Sequence, residues 1–396
     1  MIKLAVDVGT TNINMAFYDT KADSVIVYFD MPNRQSLYGR DVINRILTAT
    51  RDEQYLSVMK DMVVSDMAEA IVNTSTEYGF GIDDICEICL SGNTTMISIL
   101  LEYDISSLGV STYKHKLDKT VIISAKELFN DKCVVKPDCK VILTGCVSAF
   151  IGGDILSGVI YLKYSSMYEM IDKAAKKNDT PYEKYFFDDE HTSLLIDLGT
   201  NGELVLNDKG RLFATSAACG PAFEMSLKRQ GVYGSSAIDA VTLGVKAGQI
   251  SKEGSLNDEY IKEGIKIGDV HLTSDIIREI LLAKAAIATG IEGLTKKAAI
   301  TFDDIDNIYI AGCFGNYLNV DNAVYIGLIP KPFKYKVSII GNSSLNGAII
   351  LINNDNLINE MDLLRDKIEV LQLVNMSNYQ DILLDNMYFK EVAEKI

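Results

Sequence analysis

"SLLIDLGTNGELVL", Ser193 to Leu206, repeats in mid-chain an object that also opens it, "KLAVDVGTTNINMAF", Lys3 to Phe17. Each copy reads as an apolar buried strand (Leu4 to Val8; Leu194 to Leu198), a tight turn built on Gly-Thr, and a second strand (Asn12 to Tyr18; Glu203 to Leu206). A turn, "DTKAD" or "NDKG", then leads to a third strand, Ser24 to Phe29 or Arg211 to Ala214. A β-meander is begun twice. An Asp at a strand end followed by Gly-Thr sets a carboxylate beside a row of backbone N–H groups. Glycine permits close approach, and the threonine hydroxyl adds a donor. Such a turn can grip phosphate oxygens, and the adjacent Asp suits hydrated Mg²⁺, which takes carboxylates, waters and substrate phosphates. Asp-x-Gly alone is also ordinary hairpin chemistry; the paired occurrence in matched strand contexts is what points to phosphate. Two such turns facing each other would clamp one nucleotide from both sides.

The remainder of the chain fits two such units. At 396 residues and 48% hydrophobic composition, two well-packed domains of roughly 150 to 200 residues are expected. Helical patterns cover Val42 to Leu47 and Tyr55 to Tyr78, and a strand covers Ile85 to Leu90. Thr273, Ser274 and Asp275 signal the start of a long helix, followed by the strand "NIYIAG" and a final strand with glycine turn, "KVSIIGNSSLNGA". The reading is an α/β protein with a first lobe over 1–163, an inserted polar excursion over 164–191, and a second lobe over 192–396. "YIAGCFGNYLN", Tyr309 to Asn319, supplies a strand, a glycine turn and a helix suited to a flat base or ribose. Neither GxxxxGK[ST] nor GxGxxG occurs, so any nucleotide is bound by another architecture.

Charge and composition exclude several alternatives. A formal net charge of -16 with no basic cluster argues against a nucleic-acid partner. "VILTGCVSAFIGGDILSGVIYL", Val141 to Leu162, is long and apolar enough to suggest a membrane span, but Asp154 sits at its middle beside two glycines. It reads instead as a buried strand, Lys140 to Leu143, followed by a core helix. Met1-Ile2-Lys3-Leu4 runs straight into a strand pattern rather than a secretory leader, so a cytoplasmic, membrane-free protein is expected. The 7 cysteines suggest reduced thiols. Cys86 and Cys89 form a CxxC inside a strand, where alternate side chains diverge, a poor chelate. Cys133, Cys139, Cys146, Cys219 and Cys313 are scattered singly and read as small buried hydrophobes. His115, His191 and His271 stand apart with no motif around them and read as surface or structural residues.

The order DVGTTN, DLGTNGE, AGCFGN resembles the superfamily of actin, sugar kinases and heat-shock chaperone ATPases. More narrowly, the chain resembles the ATPase module of the reductive activators of corrinoid proteins. The stretches that carry this are "NRQSLYGRDVINRI" (Asn33 to Ile46), "LSGNTTM" (Leu90 to Met96), "CVSAFIGGD" (Cys146 to Asp154), "DLGTNGELVL" (Asp197 to Leu206), "AACGPAFE" (Ala217 to Glu224), "AKAAIATGI" (Ala283 to Ile291), "AGCFGNYLNVDNAVYIGLIP" (Ala311 to Pro330) and "GNSSLNGA" (Gly341 to Ala348). The resemblance implies two actin-like, ribonuclease H-like lobes with a nucleotide cleft between them, ATP and Mg²⁺ as cofactors, and ATP-driven re-reduction of a Co(II) corrinoid to Co(I) for methyl transfer.

Carried onto this sequence, it makes Asp7, Gly9, Thr10, Thr11 and Asn12 the first phosphate loop, and Gly199, Thr200, Asn201 and Gly202 the second. Asp197 would hold the Mg²⁺-water shell or orient the attacking water, with Asp7 the other metal-side carboxylate, Glu203 nearby and Asp154 on the connecting helix. Gly220 and Glu224 would contact the nucleotide, Glu224 at the ribose, and Gly312, Gly315 and Asn316 would line the adenosine pocket. Activators of this kind usually carry a fused iron-sulfur module. No cysteine framework for a cluster is visible here, so none is expected in this chain and the electron is expected from a separate ferredoxin-like donor. The implied partner is a corrinoid protein, with a homodimer allowed for. A metabolite kinase of the same superfamily and a nucleotide-dependent scaffold are the competing readings.

Overall fold

The computed structural model describes residues 1–109, 116–165, 185–199, 201–219, 234–312 and 315–389. His115, Thr200, Gly220, Glu224 and Cys313 lie outside the described residues, as does most of the expected excursion, 166–184. The chain divides into two compact units, Met1–Tyr185 with Ser343–Ile368, and Phe186–Asn342 with Glu369–Ile396. The segment Ser343–Ile368, assigned on sequence grounds to the second lobe, therefore belongs to the first unit.

In the first unit, β1 (Ile2–Val8), β2 (Asn12–Asp19) and β3 (Ser24–Pro32) form the expected antiparallel meander. β4 (Ile85–Gly92) lies parallel to β1, β6 (Lys140–Leu143) parallel to β4, and β5 (Val121–Ser124) closes the edge antiparallel to β6. The order is β3-β2-β1-β4-β6-β5. In the second unit, β7 (Thr192–Leu198), β8 (Gly202–Asp208) and β9 (Arg211–Ala217) repeat the meander. There β12 (Asn307–Ala311) lies parallel to β7 and β13 (Val337–Gly341) parallel to β12. Two short strands, β10 (Ile265–Ile267) and β11 (Val270–Leu272), make a separate hairpin, and β14 (Ile368–Val370), at the unit's boundary, completes the order β13-β12-β7-β8-β9-β14. The run β3-β2-β1-β4-β6 thus matches β9-β8-β7-β12-β13: the duplicated turns sit in duplicated sheets.

Strand alternation decides which face does what. Leu4, Val6 and Val8 of β1 and Ile88 and Leu90 of β4 join one buried apolar cluster. Ala5, Asp7, Cys89 and Ser91 alternate with these residues and take the other face. That face is covered by two helices, Gly153–Tyr164 and Ser343–Asn353, which are buried along nearly their whole lengths. The stretch Val141–Leu162 is accordingly a strand and a buried helix, and among the described residues no helix is long and apolar enough to cross a membrane. The helix Ser343–Asn353 was not anticipated, because its serine- and asparagine-rich start, "GNSSLNGA", reads as turn chemistry when its burial is unknown. Its small residues are what let it approach: a Cβ at Gly347 would overlap the Ser157 carbonyl of the neighbouring helix.

Long helices follow their signals. Thr273 caps Ser274–Ala298 through its side chain, and Gln54–Tyr78 ends on Gly79 in the left-handed region. His191 contacts the Asp188 carboxylate at 2.8 Å and His271 the Glu263 carbonyl at 2.6 Å, both local structural roles.

Because Gly347 meets backbone rather than a flexible side chain, Gly347→Val should destabilise the protein by about 3 kcal/mol or more in chemical denaturation. Gly248→Ala, which meets nothing within 4 Å, should cost only about 1 kcal/mol from its positive φ.

Candidate functional site

The first Gly-Thr turn is built by what holds it from one side. The side chain of Asn33 donates to the Gly9 carbonyl at 2.9 Å, and the backbone N–H of Asn33 donates to the Thr11 carbonyl at 2.8 Å. Between them, the guanidinium of Arg45 donates to the Thr10 carbonyl. In a trans peptide the N–H points opposite to the C=O. Capture of these successive carbonyls therefore turns the N–H groups of Thr10, Thr11 and Asn12 the other way, toward where an anion would sit. The Thr10 hydroxyl accepts from Asn93 at 3.0 Å, which leaves its own proton as a donor. Asn93 in turn caps the helix Thr94–Leu100 through its other side-chain atom, at 3.0 Å to the Met96 N–H.

Beside this turn stand two carboxylates. Asp7, next to last on β1, accepts from the Ser344 hydroxyl at 2.9 Å and from Asn14, its cross-strand partner, at 3.3 Å. Ser344 is also 3.0 Å from Ser91, and Ser91 is 2.9 Å from Ser157, so a file of buried hydroxyls runs from the helix pair to Asp7. Asp154, in the first turn of Gly153–Tyr164, accepts the Ile155 N–H at 2.9 Å. Burial, and then the charge of Asp7, push the Asp154 carboxyl up to about 7. The pair therefore offers one carboxylate, Asp7, suited to a hydrated divalent cation, beside an acid that gives up its proton only near neutrality. Among the described residues no group of three or more His, Cys, Asp or Glu could encage a metal, and Mg²⁺ needs no such cage, since it binds through one or two carboxylates with waters and phosphates.

The second unit assembles its own set. Asp197 lies across from Glu203 and beside Ala311, at the ends of β7, β8 and β12. The Gly199 N–H closes the turn onto the Asn201 carbonyl at 3.0 Å. Gly312 follows β12 with φ +91 and approaches Asp197 so closely that a Cβ would stand 2.9 Å from its Oδ1. Only glycine meets both demands there. The Gly315 N–H donates to the Gly312 carbonyl at 3.1 Å, and the backbone of Asn316 lies in the short helix Gly315–Tyr317. Gly202 abuts Ile287 and Cys219, and the Cys219 thiol is pushed well above its usual range by burial and then by Glu203.

The first unit thus brings together Asp7, Gly9, Thr10, Thr11, Asn12 and Asp154, and the second brings together Asp197, Gly199, Asn201, Gly202, Glu203, Gly312 and Gly315. Reasoning from the sequence assigned no role to Asn14, Asn33, Gln35, Arg45, Ser91, Asn93 or Ser344. Arg45 had a legible signal: it falls on the stripe Val42, Arg45, Ile46, Ala49 that buries the helix Val42–Arg51, where an apolar residue is the norm.

A carboxyl whose value is raised by folding favours the fold when protonated. That contribution is complete below about pH 4 and is lost as pH rises through the folded value of about 7. Protein free of metal and nucleotide should therefore melt at a higher temperature at about pH 5.5 than at about pH 8. Asp154→Asn should flatten that difference in the same calorimetric scans.

Comparison with known proteins identifies the family. Residues 2–167 match the family described as RACo middle region, and residues 191–231 and 225–395 match the C-terminal domain of RACo, the ASKHA domain. The chain is 26% identical over 400 residues to the corrinoid activation enzyme RamQ of Eubacterium limosum, across 87% of this chain and 63% of that protein. It is 20% identical over 408 residues to the [Co(II) methylated amine-specific corrinoid protein] reductase of Methanosarcina barkeri, across 87% of this chain and 68% of that one. A solved reductive activator for a corrinoid, iron-sulfur protein superposes with a TM-score of 0.81 at 27% identity, covering 98% of this chain and 66% of its own. The chain therefore spans just under two thirds of the length of RamQ and of that activator. With a mixed α/β fold of the actin-like kind and matches running over both units, the chain belongs to the RACo family, of which it carries the middle region and the C-terminal ASKHA domain.

Proposed function

We propose that this chain is an ATP-dependent reductive activator of a corrinoid protein, in which ATP binding and hydrolysis drive the passage of one electron from a separate ferredoxin-like donor to Co(II), giving Co(I). The observation that carries the nucleotide half of this reading is the first loop, whose carbonyls are held by Asn33 and Arg45 so that its amides turn outward beside Asp7. The corrinoid half is supported by the relatives, named as corrinoid activation and corrinoid protein reductase enzymes.

In this reading the amides of Thr10, Thr11 and Asn12 and the Thr10 hydroxyl hold phosphate oxygens, and Gly199, Thr200, Asn201 and Gly202 serve the same nucleotide. Asp7 and Asp197 would hold hydrated Mg²⁺, which when bound supplies charge neutralisation of the phosphates. Gly312, Gly315 and Asn316 receive the adenosine, with Gly220 and Glu224 as further nucleotide contacts. Asp154, pushed up to about 7, is better suited than an ordinary carboxyl to accept a proton from the attacking water. Glu203, opposite Asp197, helps to set that carboxylate's surroundings. Positioning and charge neutralisation carry most of phosphoryl transfer to water, so no further nucleophile is needed. The cytoplasm, where thiols stay reduced, is the fitting compartment.

The test mixes the protein with ATP, a Co(II) corrinoid protein and a low-potential reductant, reading both phosphate release and the Co(I) absorption band. The band should appear only with ATP, and phosphate release should rise on adding the corrinoid protein. Asp7→Asn and Asp197→Asn should each lower hydrolysis by about 100-fold or more. A phosphorylated small molecule would instead identify a metabolite kinase, and tight ATP binding without phosphate release a scaffold.

A further inference from the structure

Arg45 is fully buried, at 0% exposure, in a chain of net charge -16, and its partners are all neutral. Its Nε donates to the Gly39 carbonyl at 2.9 Å, its Nη1 reaches Gln35 Oε1 and Met96 Sδ at 3.0 Å each, and its Nη2 donates to the Thr10 carbonyl. Gln35 is itself locked, its amide donating to the Met59 carbonyl at 2.9 Å. Asp41 is the acid that favours the guanidinium's charge, but its carboxylate is engaged by the N–H and side chain of Asn44 at 2.8 and 2.6 Å. Among the described residues no carboxylate forms an ion pair with Arg45. A buried cation without a paired anion is costly, and a methionine or leucine would fill the stripe at lower cost. A neutral donor such as glutamine would be enough to hold the Thr10 carbonyl. Neither cost nor geometry explains a full charge at this place; an anion that arrives on the other side of the Thr10–Thr11 peptide does.

We propose that Arg45 is the fixed counter-charge of a phosphate group bound on the first Gly-Thr loop, a positioning residue that makes the loop select its ligand by phosphate charge. The Thr10–Thr11 peptide stands between the two: its carbonyl faces the guanidinium and its N–H faces away from it. The guanidinium aligns this dipole and adds a charge in a medium that screens weakly. The inference rests on the reading of the loop as a nucleotide phosphate site.

The experiment measures, by calorimetry, the affinity of the whole chain for ATP, ADP, adenosine and inorganic tripolyphosphate, in wild type, Arg45→Lys and Arg45→Gln. Arg45→Gln should lose about 30-fold or more in ATP affinity, less in ADP affinity, and under about twofold in adenosine affinity. Arg45→Lys, which keeps the charge and loses the fork, should recover much of the ATP affinity. If Arg45 were only a strut, Arg45→Gln would match or exceed Arg45→Lys, or all ligands would weaken alike, and either result overturns the proposal. Wild-type protein that fails to bind ATP would sink the nucleotide reading itself; wild type that binds, with an equally competent Arg45→Gln, sinks this inference alone. If neither variant folds, wild type decides the matter: ATP and tripolyphosphate must slow hydrogen exchange at Thr10, Thr11 and Asn12 where adenosine does not, and ATP that binds without protecting these amides refutes the assignment.

Discussion

A loop can present its amides to an anion only if its carbonyls are accommodated on the opposite side. That constraint organises the whole N-terminal part of the protein. Gly9, Thr10 and Thr11 hand their carbonyls to Asn33 and Arg45, which lie far along the chain beyond two further strands. Placing those two residues requires the short helix Arg34–Leu37 and the helix Val42–Arg51, with Gln35 fixed to the helix Gln54–Tyr78 to keep the guanidinium in line. The residues whose amides are turned outward are thus few, and the residues that aim them fill a layer of the fold.

The opposite face of the same sheet solves a different problem. Asp7 must be held in one rotamer, yet two helices press upon its strand. Small side chains at Ala5, Cys89 and Ser91, with Gly347 and Ser157 on the helices, let backbone approach backbone. The hydroxyls of Ser157, Ser91 and Ser344 then satisfy one another and end on the carboxylate. The second unit reaches a comparable end by other means, with Gly312 pressed against Asp197 and Glu203 standing where the first unit has Asn14. Duplication preserved the strand order and the acid; the surroundings of the acid diverged.

Much of this was readable before any coordinates. Apolar runs flanking Gly-Thr turns located β1, β2, β7 and β8 to within a few residues, and Thr273 marked the start of its helix because capping is local chemistry. What the sequence hid is non-local. Ser344 contacts Asp7 across a separation of 337 residues, and serine after glycine and asparagine looks like a turn until a buried carboxylate explains it. Asn33 and Arg45 lay inside stretches already noted for their resemblance, but a side chain that serves another loop's carbonyls leaves no periodic trace. The short edge strands β5 and β14 escaped for a simpler reason: runs of 4 and 3 residues carry too little pattern to separate them from loop.

The helix Ser343–Asn353 follows the first strand by more than three hundred residues, yet it covers that strand, Ser344 reaching Asp7 across a separation of 337. The first unit is consequently unfinished until its closing segment, Ser343–Ile368, has been made, which follows the second unit's main body, Phe186–Asn342. Until then the apposed face of β1 and β4 stays uncovered and Asp7 lacks its Ser344 donor. Domains that are continuous in sequence can fold in order of synthesis; here the first unit must wait for a segment made after Phe186–Asn342, so acquisition of the first acidic centre is tied to synthesis of the second unit's main body.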